Sequence, residues 1–104
     1  EGIKNMEEIT FEEFKKYFYF NEEKDLYIYL KGTIKTLITI NKSIFIIKDK
    51  ILWINNSVRD DVEDYDVEIN LNEVNSFYSS NNKDSFKLVL KDNTEIELDF
   101  DRNS

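Results

Sequence analysis

The 104-residue chain contains no cysteine, no histidine and no proline, and only two glycines. Without cysteine there is no disulfide framework, no thiolate metal site and no cysteine nucleophile, a pattern that suits a reducing compartment. Without histidine there is no imidazole base, proton shuttle or histidine-metal cluster, which removes the commonest apparatus of acid–base catalysis. No apolar run approaches the roughly eighteen residues of a membrane span. The opening Glu1-Gly2-Ile3-Lys4 also lacks the basic-then-apolar layout of a signal peptide. The sequence therefore reads as that of a cytoplasmic protein with no membrane partner.

What is present is a strongly apolar, strongly charged composition. Thirteen Ile and eight Phe within a 40% hydrophobic fraction can bury enough area to offset chain entropy, so the chain is expected to fold despite being 35% charged. Its length suits one domain over residues 1–104. The charge is unevenly placed. Residues 1–55 hold nine Asp/Glu and nine Lys, whereas residues 56–104 hold thirteen Asp/Glu against three Lys and two Arg, so the net charge of -8 arises in the C-terminal half. Such asymmetry points to a partner with a basic surface.

Residues 1–9 read as a lead-in. Thr10-Phe11-Glu12-Glu13 matches the capping box and predicts a helix over 10–21, fraying near Asn21. Phe11, Phe14 and Phe18 fall on one stripe with Tyr17 beside them, the pattern of a helix docked on a core. From Leu26 the period changes to two, which predicts an antiparallel meander across 26–100. The strands expected are Leu26 to Leu30, Ile34 to Ile40, Ile44 to Lys48, Ile51 to Asn55, Tyr65 to Leu71, Val74 to Ser79, Phe86 to Leu90 and Thr94 to Phe100. Turns at Lys31-Gly32, Asn41-Lys42-Ser43, Lys48-Asp49-Lys50 and Lys91-Asp92-Asn93 are short enough to make neighbours antiparallel. In the last hairpin, a left-handed Asn93 sets Leu88 opposite Ile96, Phe86 opposite Leu98 and Lys87 opposite Glu97. The same reasoning at Lys48-Asp49-Lys50 sets Ile46 against Leu52 and Phe45 against Trp53. The segment from Asn55 to Asp64 reads as an exposed polar loop.

The fold class that follows is α+β: an N-terminal helix packed on a bent antiparallel sheet or partly open barrel of seven or eight strands. Carboxylates are the one catalytic group in quantity, but no motif organises them, so no enzyme is expected. Asp60, Asp61, Glu63, Asp64 and Asp66 lack the glycine and terminal glutamate of an EF-hand loop and imply at most weak cation binding. No cofactor is expected.

The acids do have spatial order. On strands, Asp66 and Glu68 project opposite Val67, Ile69 and Leu71, while Glu95, Glu97, Asp99 and Asp101 project opposite Ile96, Leu98 and Phe100. Two acidic rows result, extended by Asp60, Asp61, Glu63 and Asp64. Charges in one row recur about every 6.8 Å, against a phosphate about every 3.4 Å along a nucleic-acid strand. Two rows side by side would come closer to a duplex. The plainer reading is that acidic outer faces maintain solubility, with Lys87 and Lys91 neutralising part of the hairpin face.

The run from Thr36 to Phe100, with its strand-Asn-Lys-strand, then Asp66-Val67-Glu68-Ile69-Asn70-Leu71-Asn72-Glu73-Val74, then Phe86 to Leu98 closed by Lys91-Asp92-Asn93-Thr94, resembles bacterial PH-like and GRAM-type domains. The resemblance implies a bent barrel. That family closes its barrel with a C-terminal helix, whereas the helical pattern here is N-terminal. Its lipid-binding members use clustered Lys/Arg, and here only Lys31 and Lys35 stand near the first hairpin beside an acidic surface that repels anionic headgroups. The architecture is carried over and the lipid binding is not.

Function is then expected to be non-enzymatic protein binding. In the first form the acidic face occupies the basic groove of a nucleic-acid-binding protein, such as a nucleic-acid-binding enzyme, and excludes the natural polyanion without itself binding nucleic acid. Small acidic antagonists encoded by phages and mobile elements, anti-CRISPR proteins included, act in this way. In the alternative form a PH-like scaffold or assembly domain binds a protein through a strand edge or an apolar patch.

Overall fold

Helix formation begins at Thr10, whose hydroxyl accepts from the Glu13 amide at 3.0 Å while the Glu13 carboxylate accepts from the Thr10 amide at 2.9 Å. This is the reciprocal cap that the sequence predicts. The structure is a computed structural model and describes residues 5–57 and 65–100. Helix α1 spans Phe11–Tyr19, with Glu12 and Glu13 in its first turn and Lys16 in its last, complementing the helix dipole. Its end does not fray as expected. Buried Asn21 donates through Nδ2 to the carbonyls of Lys83 at 2.8 Å and Tyr17 at 3.3 Å, and its Oδ1 accepts from Lys24 Nζ at 3.0 Å. The helix terminus is thereby tied to a loop 62 residues further along the chain.

The strands are β1 (Met6–Ile9), β2 (Leu26–Lys31), β3 (Lys35–Ile40), β4 (Ser43–Lys48), β5 (Ile51–Asn56), β6 (Val67–Asn70), β7 (Val74–Ser80), β8 (Ser85–Leu90) and β9 (Glu95–Phe100), with a 3₁₀ turn at Leu71–Glu73 between β6 and β7. The α+β class stands, but the strands form two antiparallel sheets rather than one. A six-stranded sheet has the order β1-β7-β8-β9-β2-β3 and a three-stranded sheet the order β4-β5-β6. No closed barrel forms among the described residues.

Three details differ from the sequence expectation, each for a physical reason. Met6-Glu7-Glu8-Ile9 is a strand and not a lead-in. It pairs along β7 from Met6–Ser80 to Ile9–Phe77, and an edge strand needs only backbone complementarity, so two central glutamates hide it from a periodicity argument. The Asn41-Lys42 turn does not make β3 and β4 neighbours, because the chain there turns a corner from one sheet to the other. Lys42 is left-handed at φ 48°, and its amide donates to Asp25 Oδ1 at 2.9 Å. Buried Ser43 donates from its amide at 2.8 Å and its hydroxyl at 2.9 Å to the Lys24 carbonyl. The third difference is the β4–β5 register, which pairs Ile46 with Trp53 and Phe45 with Ile54. Asp49 and Lys50 are both left-handed, at φ 55° and 60°, so the loop has two residues, as a type I′ hairpin turn requires. The β8–β9 hairpin matches expectation, with Leu88 opposite Ile96, Phe86 opposite Leu98, Lys87 opposite Glu97, and Asn93 at φ 73°.

The core joins the helix to both sheets. Phe14 and Phe18 are fully buried. Phe18 lies 4.4 Å from Phe45 of β4, 5.6 Å from Phe86 of β8 and 5.2 Å from Phe100 of β9 by ring centroids. Phe14 meets Phe77 at 5.1 Å and Phe86 at 5.5 Å. Truncating Phe18 or Phe14 to alanine is expected to cost about 3–5 kcal/mol, and Thr10→Ala about 1 kcal/mol through the lost cap, both read from urea denaturation midpoints. A Phe14→Ala protein of unchanged stability would show that the stripe is not core.

Candidate functional site

Alternation along β9 buries Ile96, Leu98 and Phe100 and turns Glu95, Glu97 and Asp99 to the opposite face. These three carboxylates are half-buried, because strands flank β9 on both sides. Glu95 stands between Val89 and Lys31, Glu97 between Lys87 and Tyr29, and Asp99 between Ser85 and Tyr27. Lys31 Nζ contacts Glu97 Oε2 at 2.9 Å. That hydrogen bond is the main reason the Lys31 ammonium titrates above its ordinary range; partial desolvation opposes it, while the negative charges of Glu97, Glu95 and Asp99 reinforce it. Lys87 occupies the register position opposite Glu97 but extends over Tyr78, its Nζ 5.1 Å from the ring centroid. Neutralisation of the row therefore comes from β2 rather than from the Lys87 pairing expected within the hairpin.

The second expected row begins on β6. Val67 and Ile69 face the core, and Glu68 is exposed opposite Trp53. Asp66 Oδ2 accepts from the Asn56 amide at 3.0 Å, while the Asp66 amide donates to Asn55 Oδ1 at 2.7 Å, so this residue helps to clamp the start of β6 onto β5. Strands β6 and β9 belong to different sheets, and each turns its acids away from the core between them. The two rows are thus not side by side, and the duplex-like array considered from the sequence is not formed by Asp66, Glu68, Glu95, Glu97 and Asp99. Asp60, Asp61, Glu63, Asp64 and Asp101 lie outside the described residues. Among the described residues no group of three or more acidic side chains is placed to hold a metal ion. Asp92 is held below the usual carboxylate range by hydrogen bonds from the Thr94 amide and hydroxyl, which serves the β8–β9 turn.

Two surfaces were not visible in the sequence. One is an open groove of about 430 Å³ between the sheets, walled by Ile28, Leu30 and Ile38 on one side and by residues 66–70 on the other. The second is the outer face of the three-stranded sheet, where Ile46, about half exposed, pairs with Trp53, and Tyr65 lies 5.5 Å from the Trp53 ring. A run such as Ile44-Phe45-Ile46-Ile47 supplies apolar residues to both faces of a strand. That excess is the sequence signal of a second apolar face. The free edge of β4 beside this face is covered in part by α1, since the Tyr19 hydroxyl accepts from the Ile47 amide at 3.0 Å.

Comparison with family models, with curated protein sequences and with solved structures finds no match to this chain. No helix among the described residues is long and apolar enough to cross a membrane.

The Lys31–Glu97 pair has a defined pH signature. A raised ammonium pKa stabilises the fold fully below the ordinary lysine value of about 10.4 and ceases to do so as pH rises through the folded-state value. Replacing Lys31 with methionine is therefore expected to cost at most about 1 kcal/mol at pH 7, as for other solvent-screened pairs. In pH-dependent denaturation the difference from wild type should vanish above the lysine range. A gap that persists at high pH would assign the effect to packing of the lysine stem instead.

Proposed function

We propose that the protein works by binding another protein through charge, without catalysis, and that its partner presents a basic surface. The observation that carries this is the concentration of the entire net charge of -8 in residues 56–104, together with the ordered row Glu95, Glu97 and Asp99. Charge of one sign on one face accelerates encounter with a surface of the other sign and disfavours wrong partners. The form of this reading that best accounts for an acidity without catalytic groups is competition. The acidic face occupies the basic groove of a cytoplasmic nucleic-acid-binding protein and keeps the polyanion out, in the manner of phage and mobile-element antagonists such as anti-CRISPR proteins. A single row flanked by Tyr27, Tyr29 and Lys31 supports local charge complementarity rather than imitation of a whole duplex.

A second reading, a PH-like scaffold or assembly domain, is favoured by different observations. The edge strand β3 exposes Leu37, the adjoining turn exposes Ile34, and the outer face of the smaller sheet exposes Ile46. Exposed apolar groups at an unpaired edge are the usual means of strand addition or patch docking.

The two readings separate under neutralisation of the β9 row. Glu95→Gln, Glu97→Gln and Asp99→Asn preserve shape and avoid setting new lysines beside Lys31 and Lys87. For a partner isolated from nuclease-treated lysate, charge competition implies an association rate at least about tenfold slower in the triple variant. Binding should also weaken steeply towards 1 M salt, where the Debye length falls to about 3 Å. A folded triple variant that associates at the wild-type rate would remove this reading. If Ile46→Ser or Trp53→Ala then abolishes binding, the scaffold reading takes its place. Tight binding of the protein itself to DNA or RNA would overturn both.

A further inference from the structure

The groove between the sheets, bordered by Asp66 and Glu68 of the second acidic row, has features that the β9 row lacks. Among the described residues, strand β6 ends its sheet and pairs only with β5. The bond from the Leu71 amide to the Lys50 carbonyl at 2.8 Å, continued through the pairs Asn70–Ile51 and Ile69–Leu52, sets which backbone groups point each way. Residues 67, 69 and 71 bond towards β5, so the amides and carbonyls of Glu68 and Asn70 point away from it. The groove is lined by Asp66, Val67, Glu68, Ile69 and Asn70 in unbroken succession. A wall made only of a strand's inward face would contribute every second residue, so the groove borders the backbone edge of β6 as well as its apolar side chains. Opposite lie Ile28 and Leu30 of β2 and Ile38 of β3, the last strand of the larger sheet.

The charge at this groove has one sign. Asp66, Glu68 and Glu73 line it, and no lysine or arginine does so among the described residues. Its volume of about 430 Å³ falls within the range of pockets that enclose ligands.

We propose that this groove binds an extended peptide segment of another protein by strand addition to β6, with alternate apolar side chains entering between the sheets and intervening Lys or Arg side chains meeting Glu68 and Glu73. An unpaired edge supplies main-chain hydrogen bonds, the cleft selects alternate side chains, and the acidic rim selects basic residues between them. A second copy of this chain is disfavoured as the occupant, because molecules of net charge -8 repel one another. The proposal rests on the reading of the protein as a binder of basic partners and gives that reading a second, sequence-selective contact.

The probe is an acetylated peptide of about ten residues alternating Val with Lys, titrated into the full chain labelled with ¹⁵N. Saturable shifts should fall on β6 and on the walls at Ile28, Leu30 and Ile38, with the Glu68 and Asn70 amides gaining protection from hydrogen exchange. The exposed double substitution Glu68→Lys and Glu73→Lys should weaken binding at least about tenfold, about 1.4 kcal/mol. The neutralised β9 row should bind the peptide within about twofold of wild type. A peptide alternating Val with Glu, or one with Asp in place of its central Val, should not bind. Shifts confined to the β9 face, equal binding of the Glu peptide, or no binding at about 1 mM would each overturn the proposal. So would a concentration-dependent dimer that protects the same amides, which would make a second copy the occupant. If the Lys peptide fails while the β9 row still governs partner association, the groove assignment falls and the proposed function stands.

Discussion

The two-sheet arrangement centres on the packing of one side chain, Phe18, where the helix and both sheets meet. Its ring meets Phe45 in the smaller sheet and Phe86 and Phe100 in the larger one. Aromatic contacts of this kind add about 0.5–1.5 kcal/mol each beyond the area they bury. The sheets also pack directly on one another, with Leu52, Ile54 and Ile69 of the smaller sheet buried in the same cluster as Ile28, Leu88 and Leu98 of the larger, and Phe45 lying 6.1 Å from Phe100. What keeps Phe18 in place acts at the two ends of the helix: the Thr10 cap sets its phase, and Asn21 fastens its far end to Lys83. A nine-residue helix is too short to be stable alone, so the cap, the stripe and the sheets depend on one another.

That dependence explains what could be read in the sequence. The capping box, the aromatic stripe and the β8–β9 register rest on local patterns with a single physical solution, and each appears as expected. The β4–β5 register fails by one residue because Ile44, Phe45, Ile46 and Ile47 are all apolar, so neither parity is penalised and turn geometry decides. The division into two sheets was not legible, since it follows from the Asn41-Lys42 corner and the Lys24–Ser43 bonds, which leave no periodic trace. Nor was β1, whose pairing with β7 is a matter of backbone alone. For the candidate site, alternation correctly turned Glu95, Glu97, Asp99 and Glu68 away from the core. It could not report that β6 and β9 would end in different sheets, or that a groove would open between them.

Charge and apolar exposure divide the surface into distinct faces. On the six-stranded sheet, carboxylates, tyrosines and lysines interleave, and Lys31 offsets part of the acidity. On the three-stranded sheet, Ile46, Trp53 and Tyr65 form an apolar face, with exposed Glu68 opposite Trp53. Between them lies a cleft whose floor is aliphatic and whose rim is acidic. A partner offering basic residues alone would engage the first face. One offering basic and aliphatic residues in alternation would match the cleft as well, and discrimination of that second kind survives at ionic strengths that screen the first.

Strand β9 has a consequence of its own. It lies between β8 and β2, pairing with β2 over residues 95–100 and with β8 over residues 95–99, so it joins the β1-β7-β8 block to the β2-β3 hairpin. The pairing of Leu26 with Phe100 spans most of the chain, which makes closure of the larger sheet a late and slow event in folding. During synthesis, β2 waits with one edge unpaired until residues 95–100 have left the ribosome. Its Leu26, Ile28 and Leu30 are exposed meanwhile to any other unfinished strand in the vicinity. The strand that carries the acidic row is thus the one whose arrival covers the open edge of β2. Its carboxylates, repelling one another between copies, also discourage it from completing the sheet of the wrong molecule.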